Sequence, residues 1–140
     1  MSDALAVPQP NDKPENARLN ALIAAGARGD ATIWDVVAEL VNSVVFLGSS
    51  TADVKGMADA KPLFVKMGTT DCVVVGTSQA ACAKFADKTP YFIALRADTL
   101  ILQMQPGLGL YIEGDTDACT LHAPDMARVK GILAANQPSA

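Results

Sequence analysis

The chain has 140 residues, half of them hydrophobic, and its 11 basic and 15 acidic side chains give a formal net charge of −4. That length suits a single domain, and an apolar content this high excludes a disordered acidic chain. The lack of a basic excess excludes a protein that binds duplex nucleic acid and disfavours binding to an anionic membrane surface, since clustered positive charge carries both interactions.

The ends of the chain and its cysteines bear on where the protein works. Prolines at positions 8, 10 and 14 predict a flexible tail over residues 1–14, and residues 136–140 predict a second tail. We therefore expect the single domain over residues 15–135. The first residues lack a basic segment followed by an apolar run, and three cysteines are an odd number, so we expect a cytoplasmic protein without a secretory signal. No apolar run approaches the roughly 20 residues of a membrane span.

Helical spacing begins soon after the first tail. A first helix is predicted between Pro14, which suits a first turn, and Gly26 or Gly29. Either Asp30 or Thr32 then caps a second helix. The apolar positions of the first helix are Leu19, Leu22 and Ile23. The second helix carries Trp34 beside an apolar face formed by Ile33, Val36, Val37, Leu40 and Val44.

Short β-branched and aromatic runs predict the strands. They cover residues 43–48, 62–67, 72–76, 91–95, 110–112 and 118–122. The segment from Gly68 to Asp71 predicts a four-residue loop that joins the second and third strands in an antiparallel hairpin. The uninterrupted apolar run 72–75 is typical of an inner strand that is covered on both faces.

Two further helices and one ambiguous segment complete the pattern. Thr77 or Ser78 caps a short helix, and Pro124 opens a last helix. Residues 98–105 fit either a strand, by alternation, or a helix that buries one stripe. That stripe would be Leu100, Ile101 and Met104, and the last helix has apolar positions at Met126, Val129, Ile132 and Leu133. Helices interspersed with short strands predict an α+β domain in which helices pack on a mixed, mostly antiparallel sheet.

The cysteines and the one histidine are the candidates for nucleophilic catalysis. A catalytic thiol needs a nearby base and an electropositive setting. His122 is the only histidine, so any Cys–His pair must use it, and Cys82 and Cys119 are the candidate thiols. Core packing is the simpler interpretation of all three thiols, above all of Cys72, which stands in a run of valines. The spacing typical of a structural zinc site does not occur.

The segment 107–117 combines two glycines with three carboxylates. Glu113, Asp115 and Asp117 alternate as cation ligands do, but the glycine and the glutamate that a calcium loop needs do not stand at the right positions. Gly107 and Gly109 form half of a dinucleotide fingerprint, but a strand rather than a helix follows them. We therefore expect no metal and no cofactor, and we interpret the carboxylates as a solvated turn.

Four segments resemble a known family when they are taken together. They are the strand pair PLFVKMGTTDCVVVGTSQAACAKF, the aromatic strand PYFIAL, and the segments PGLGLYIEGD and APDMARVKGIL. Residues 62–133 are in this respect similar to the N-terminal domain of the SseB family, the enhanced serine sensitivity proteins also described as type III secretion enhancers. Thr77–Ser78 and Gly109–Leu110 match that family, whereas Gly76 and Glu113–Asp115 depart from it. The resemblance implies an α+β domain, a helix in the ambiguous segment, and no established catalytic residues.

Three functions from different classes are consistent with the sequence. The first is a non-enzymatic protein-interaction or regulatory domain, whose partner is an unidentified protein or a second copy of the chain in a homodimer. The glycine-rich turn and the serine-linked name of the family suggest an alternative, a domain that binds an amino-acid-like small molecule. The third is a thiol enzyme that uses Cys82 or Cys119 with His122. The candidate interaction surface is a rim formed by Thr77, Ser78, Gly107, Gly109, Glu113, Asp115 and Asp117.

Overall fold

Five helices and six strands lie in the two stretches of chain that the computed structural model describes, residues 16–51 and 61–135. Both predicted tails, 1–14 and 136–140, lie outside those stretches. In chain order the elements are α1 (Ala17–Ala27), α2 (Ile33–Leu40), β1 (Val44–Ser49), β2 (Phe64–Met67), β3 (Thr70–Gly76), α3 (Gln79–Ala83), β4 (Tyr91–Arg96), α4 (Ala97–Gln103), β5 (Gly109–Glu113), β6 (Ala118–Leu121) and α5 (Ala123–Ala135).

The six strands form one sheet with the order β4-β1-β3-β5-β6, and β2 also pairs with β3. Every pairing is antiparallel except that of β3 with β5, which runs from Cys72 opposite Gly109 to Gly76 opposite Glu113. The residues of β3 from Cys72 onwards are buried, which confirms the predicted inner strand. The predicted fold class, an α+β domain with a mixed and mostly antiparallel sheet, is confirmed.

The two faces of the sheet have hydrophobic cores of unequal size. One face packs against α1, α2, α4 and α5 and forms the main core, to which the strands contribute Val45, Leu47, Val73, Val75, Ile93, Leu110, Ile112 and Leu121. On the opposite face a smaller cluster joins Phe46 and Ala94 to Cys82 of α3. Each fully buried aliphatic side chain stabilises the fold by roughly 1.5–3 kcal/mol. The main core therefore contributes most of the stability, and α3 contributes a small share.

Two helices begin at side-chain caps. The Thr32 hydroxyl accepts a hydrogen bond from the Asp35 N–H at 3.2 Å, and the Asp35 carboxylate accepts one from the Thr32 N–H at 2.8 Å. This reciprocal pair is a capping box, which satisfies two N–H groups at the start of α2. The Ser78 hydroxyl accepts from the Ala81 N–H at 3.0 Å and caps α3. Each cap is one of the two residues that the sequence predicts for that position.

Some element boundaries differ from the predictions. The first helix begins at Ala17, and Pro14 lies outside the described residues. The second helix ends at Leu40, so Val44 does not extend its apolar face and instead belongs to β1, where it pairs with β4 in the sheet. The last helix begins one residue before Pro124. The ambiguous segment is helical over α4, as the resemblance implies.

The connection between β2 and β3 is shorter than predicted. Met67 pairs with Thr70, so the hairpin loop has two residues instead of four. Gly68, the first of them, has a φ of 66°, which two-residue hairpin turns require and which glycine adopts without strain. Asp71 is a strand residue as a consequence, and it forms an exposed ion pair with Lys66 across the hairpin at 3.2 Å.

The described helices are short. Within residues 16–51 and 61–135, none is long and apolar enough to cross a membrane. The longest of them, α5, has 13 residues, whereas a span needs about 20.

Candidate functional site

The carboxyl ends of β3 and β5 lie side by side, because these two strands run parallel. The segments that follow them, Thr77–Ser78 and Glu113–Asp117, are therefore adjacent in space. The Thr77 N–H donates to the Glu113 carbonyl at 3.0 Å and continues the ladder by one more bond. Most of the predicted rim residues thus meet at one end of the sheet, where ligands often bind in sheets that contain parallel strands.

A polar network joins α3 to the turn after β5. The Ser78 hydroxyl donates to the Asp115 carboxylate at 3.2 Å. The Lys84 ammonium donates to the Glu113 carboxylate at 2.8 Å and to the carbonyls of Gly114 and Asp115 at 3.1 and 3.4 Å. Tyr111 donates its hydroxyl to the other Glu113 oxygen at 3.1 Å. Burial first, and then Glu113, raise the pKa of Tyr111.

Two asparagines of the first helix region complete this network. The Asn20 amide oxygen accepts from the Thr77 hydroxyl at 2.9 Å and from the Asp115 N–H at 3.0 Å. The Asn16 amide nitrogen donates to the carbonyls of Val44 and Thr77 at 2.7 and 2.8 Å. The Asn20 amide nitrogen is buried and has no hydrogen-bond partner among residues 16–51 and 61–135. The term polar network below means Asn16, Asn20, Thr77, Ser78, Lys84, Tyr111, Glu113 and Asp115.

The structure divides the predicted rim residues among several environments. Ser78, Glu113 and Asp115 belong to the polar network, where each is bonded to a neighbouring element. Thr77 also belongs to the polar network and is buried, and Gly109 is buried in β5. The remaining two, Gly107 and Asp117, lie apart from the network: the first lines a cleft beside α5, and the Asp117 carbonyl accepts from the Gly114 N–H at 2.8 Å.

The three cysteines are free thiols in shielded positions. Burial raises the pKa of Cys82 to about 11, and burial followed by the charge of Asp125 raises that of Cys119 to about 11. Burial, and then Asp71, also raise the pKa of Cys72. All three sulfurs are therefore protonated at neutral pH, in the form that is a poor nucleophile.

His122 does not meet the thiols through a hydrogen bond. It is exposed between β6 and α5, and its ring makes no hydrogen bond to Cys82 or Cys119 in the described part of the chain. Cys119 instead lines a cleft of about 270 Å³ whose other walls come from α1, α2 and the turn between them. The same stretches, 16–51 and 61–135, contain no group of three or more His, Cys, Asp or Glu side chains that could hold a metal ion.

Two apolar depressions adjoin the last helix. The α2–α5 groove, with a volume of about 290 Å³, is lined by Trp34, Val37, Ala38, Val41, Val129, Ile132 and Leu133. The Arg128 guanidinium lies 4.9 Å from the centre of the Trp34 ring at this groove. The α4–β5 cleft, of about 250 Å³, is lined by Gln105, Pro106, Gly107, Leu108, Ala123, Met126, Ala127 and Lys130. Of the residues that line the α4–β5 cleft, the sequence prediction included only Gly107, and it missed the α2–α5 groove altogether. Each depression is formed by residues from distant parts of the chain.

No protein-family model, curated protein or solved structure matches this chain. Its function is accordingly inferred from the geometry of the polar network, the thiols and the two apolar depressions.

Proposed function

We propose that this chain is a non-enzymatic protein-interaction domain. The observation that carries the proposal is the α2–α5 groove, an apolar depression that is open to solvent. Ile132, at this groove, is 50% exposed. Covering such a surface is favourable because apolar area leaves water, at about 25 cal/mol per Å².

The groove has the form that an amphipathic helix of a partner protein fits. On α2, Trp34, Val37, Ala38 and Val41 follow the spacing i, i+3, i+4 and i+7. On α5, Val129, Ile132 and Leu133 follow the spacing i, i+3 and i+4. Two such stripes on neighbouring helices leave room between them for a third helix, which places its own apolar positions into the groove.

The potentially reactive groups support an interaction domain over an enzyme. The carboxylates, the ammonium and the hydroxyls at the end of the sheet are bonded to one another in the polar network. The thiols have raised pKa values and make no hydrogen bond to the histidine. Three free thiols also favour a reducing compartment, which supports our proposal of a cytoplasmic protein.

Introducing a negative charge into the groove tests the proposal. Ile132→Glu and Ala38→Glu each add a carboxylate to the groove at an exposed position, so the domain should stay folded. Ala17→Glu, on the exposed side of α1, is the matched control. A partner is captured with the immobilised wild type, identified, purified and titrated against all four proteins by calorimetry. We expect the control to bind as the wild type does and both groove variants to lose at least about tenfold in affinity.

The same variants show whether the partner in the groove is a second copy of this chain or a different protein. Light scattering after size exclusion gives the mass of each variant, and a homodimer through the groove would become a monomer with Ile132→Glu. A wild-type monomer that recovers no partner, or a partner that binds the groove variants with unchanged affinity, would contradict the proposal.

A further inference from the structure

The α4–β5 cleft contains one charged group in an otherwise mainly apolar wall. That group is the Lys130 ammonium, which donates a hydrogen bond to the Met104 carbonyl at the end of α4. In the described part of the chain, no carboxylate lies within ion-pair distance of it. An ammonium has three N–H donors, so two of them are available to a ligand in the cleft.

The sign of the electric field in the cleft depends on this lysine. The carboxyl end of α4 contributes a partial negative charge, and the amino end of α5, where Ala123 lines the cleft, contributes a partial positive charge. These two contributions oppose each other, and the full charge of Lys130 remains. Its field is less screened beside an apolar wall than it would be in open solvent.

The size and the apolar wall restrict the rest of the ligand. Ligand pockets usually enclose about 300–1,000 Å³, and the cleft, with about 250 Å³, is slightly smaller. Met126, Leu108 and Pro106 offer carbon surface there, and Met126 is buried. A few aliphatic carbons would cover this surface.

We propose that the α4–β5 cleft binds a small aliphatic carboxylate. The carboxylate accepts hydrogen bonds from Lys130, and its alkyl chain packs on Met126 and Leu108. This binding site goes beyond the proposed interaction function and is independent of it. Ala123, Met126, Ala127 and Lys130 share one face of α5, whereas the α2–α5 groove uses Val129, Ile132 and Leu133 on another face.

A pair of probes that differ only in charge tests the proposal on the wild-type chain. The ¹⁵N-labelled protein is titrated with 4-methylpentanoate and with the neutral 4-methylpentanamide at constant ionic strength. We expect saturable amide shifts in the non-proline residues of 105–108 and 123–130, and an affinity for the carboxylate at least about tenfold higher than for the amide. Equal affinities, no saturable shifts, or shifts centred elsewhere would overturn it.

Three variants assign the effect to the cleft. Lys130→Met keeps the aliphatic stem and removes the charge, so it should lose the carboxylate preference and retain the weak binding of the amide. Ala127→Leu fills the cleft from an exposed helix position and should abolish the binding of both probes. Lys66→Met removes an exposed ammonium from the β2–β3 hairpin and should change neither affinity. A carboxylate preference that survives Lys130→Met would overturn the proposal, and thermal unfolding of each variant confirms that it is folded.

Discussion

At the carboxyl ends of β3 and β5 polar side chains are paired with one another, whereas between α2 and α5 apolar side chains face solvent. In the first region a lysine, two carboxylates and three hydroxyls are joined by hydrogen bonds to backbone or side-chain groups. In the second region Ile132 is half exposed, and the residues that line the groove are apolar, so they do not need hydrogen-bond partners. Several residues of the predicted interaction rim thus hold elements together, whereas the α2–α5 groove exposes apolar side chains.

The difference follows from what each group costs when it is buried. A polar group taken out of water needs a hydrogen-bond partner, and leaving it unpaired costs about 1–3 kcal/mol. The turns after β3 and β5 therefore bond to each other and to the Asn20 amide oxygen of α1, whereas the buried Asn20 amide nitrogen has no partner in the described residues. An apolar side chain loses little by partial exposure, so α2 and α5 retain a surface whose burial by another molecule is favourable.

The largest effect that we expect is on the alkylation rate of the buried thiols. A fast reaction in the native chain would show that a buried polar group is chemically active, which the comparison above does not allow. The pKa of Cys82 and of Cys119 is raised from 9.0 to about 11. Because each pKa unit changes the thiolate fraction tenfold, iodoacetamide should modify both at least about a hundredfold more slowly in the native chain than in the unfolded chain at neutral pH. Peptide mass spectrometry after timed quenching measures the two rates.

The same shifts set the sign of the pH dependence. The folded state holds the thiol proton more tightly than the unfolded state, so this contribution to stability is complete below about pH 9 and is lost as the pH rises towards 11. Denaturant unfolding followed across that range should show the decline. A cysteine that reacts equally fast in native and unfolded chains at neutral pH would be an activated thiol, and would favour the enzyme hypothesis.

The second largest effect is expected at the centre of the polar network. A Cβ at Gly114 would stand 2.6 Å from the Asp117 carbonyl oxygen and 2.9 Å from the Asn20 amide oxygen. Gly114→Ala therefore displaces the turn from α1, and we expect the free energy of unfolding to fall by about 1–3 kcal/mol. Chemical denaturation measures it. An unchanged midpoint would mean that the turn and α1 are not held in the arrangement described.

The sequence was sufficient to predict structural features that depend on hydrogen bonds between residues close together in the chain. Thr32 and Ser78 are predicted caps because a hydroxyl bonds an N–H three residues ahead in either case, and no distant group is needed. Apolar runs likewise predict the strands and the inner position of β3. The pattern alone did not predict helix α4, because residues 98–105 fit a strand by alternation as well as a helix that buries Leu100, Ile101 and Met104. The resemblance to the SseB family implied the helix, and the structure has it.

The polar network could not be predicted from local patterns. Asn20 is 57 residues from Thr77 and 95 from Asp115, so its role depends on how α1 packs and on the parallel pairing of β3 with β5. Lys84 reaches the turn after β5 across 29 to 31 residues. The β2–β3 loop was predicted to be too long because Thr70 and Asp71 are polar, as loop residues usually are. In the structure Thr70 pairs with Met67, and both polar residues belong to β3.

A smaller effect is expected when the charge of the network is removed. Lys84→Met leaves the Glu113 carboxylate with Tyr111 and withdraws the bonds to two carbonyls. Because Lys84 is 44% exposed, we expect a loss of about 1.5 kcal/mol or less, and the loss should shrink at high salt. Lys66→Met, at an exposed ion pair of the hairpin, is the matched control and should cost less. Equal losses in both variants would show that the network adds nothing beyond a surface ion pair.

The smallest effect should have the opposite sign, and it lies on the helix that borders both apolar depressions. Gly131 is exposed within α5, and in the described part of the chain a Cβ there would meet no side chain and no backbone beyond its own helix within 4 Å. Gly131→Ala should raise the free energy of unfolding by about 0.5–1 kcal/mol, because alanine loses less conformational freedom in a helix. The same change therefore destabilises the network at Gly114 and stabilises α5. Differential scanning calorimetry of the two variants should show shifts of opposite sign, and two downward shifts would mean that α5 is packed as tightly at Gly131 as the turn is at Gly114.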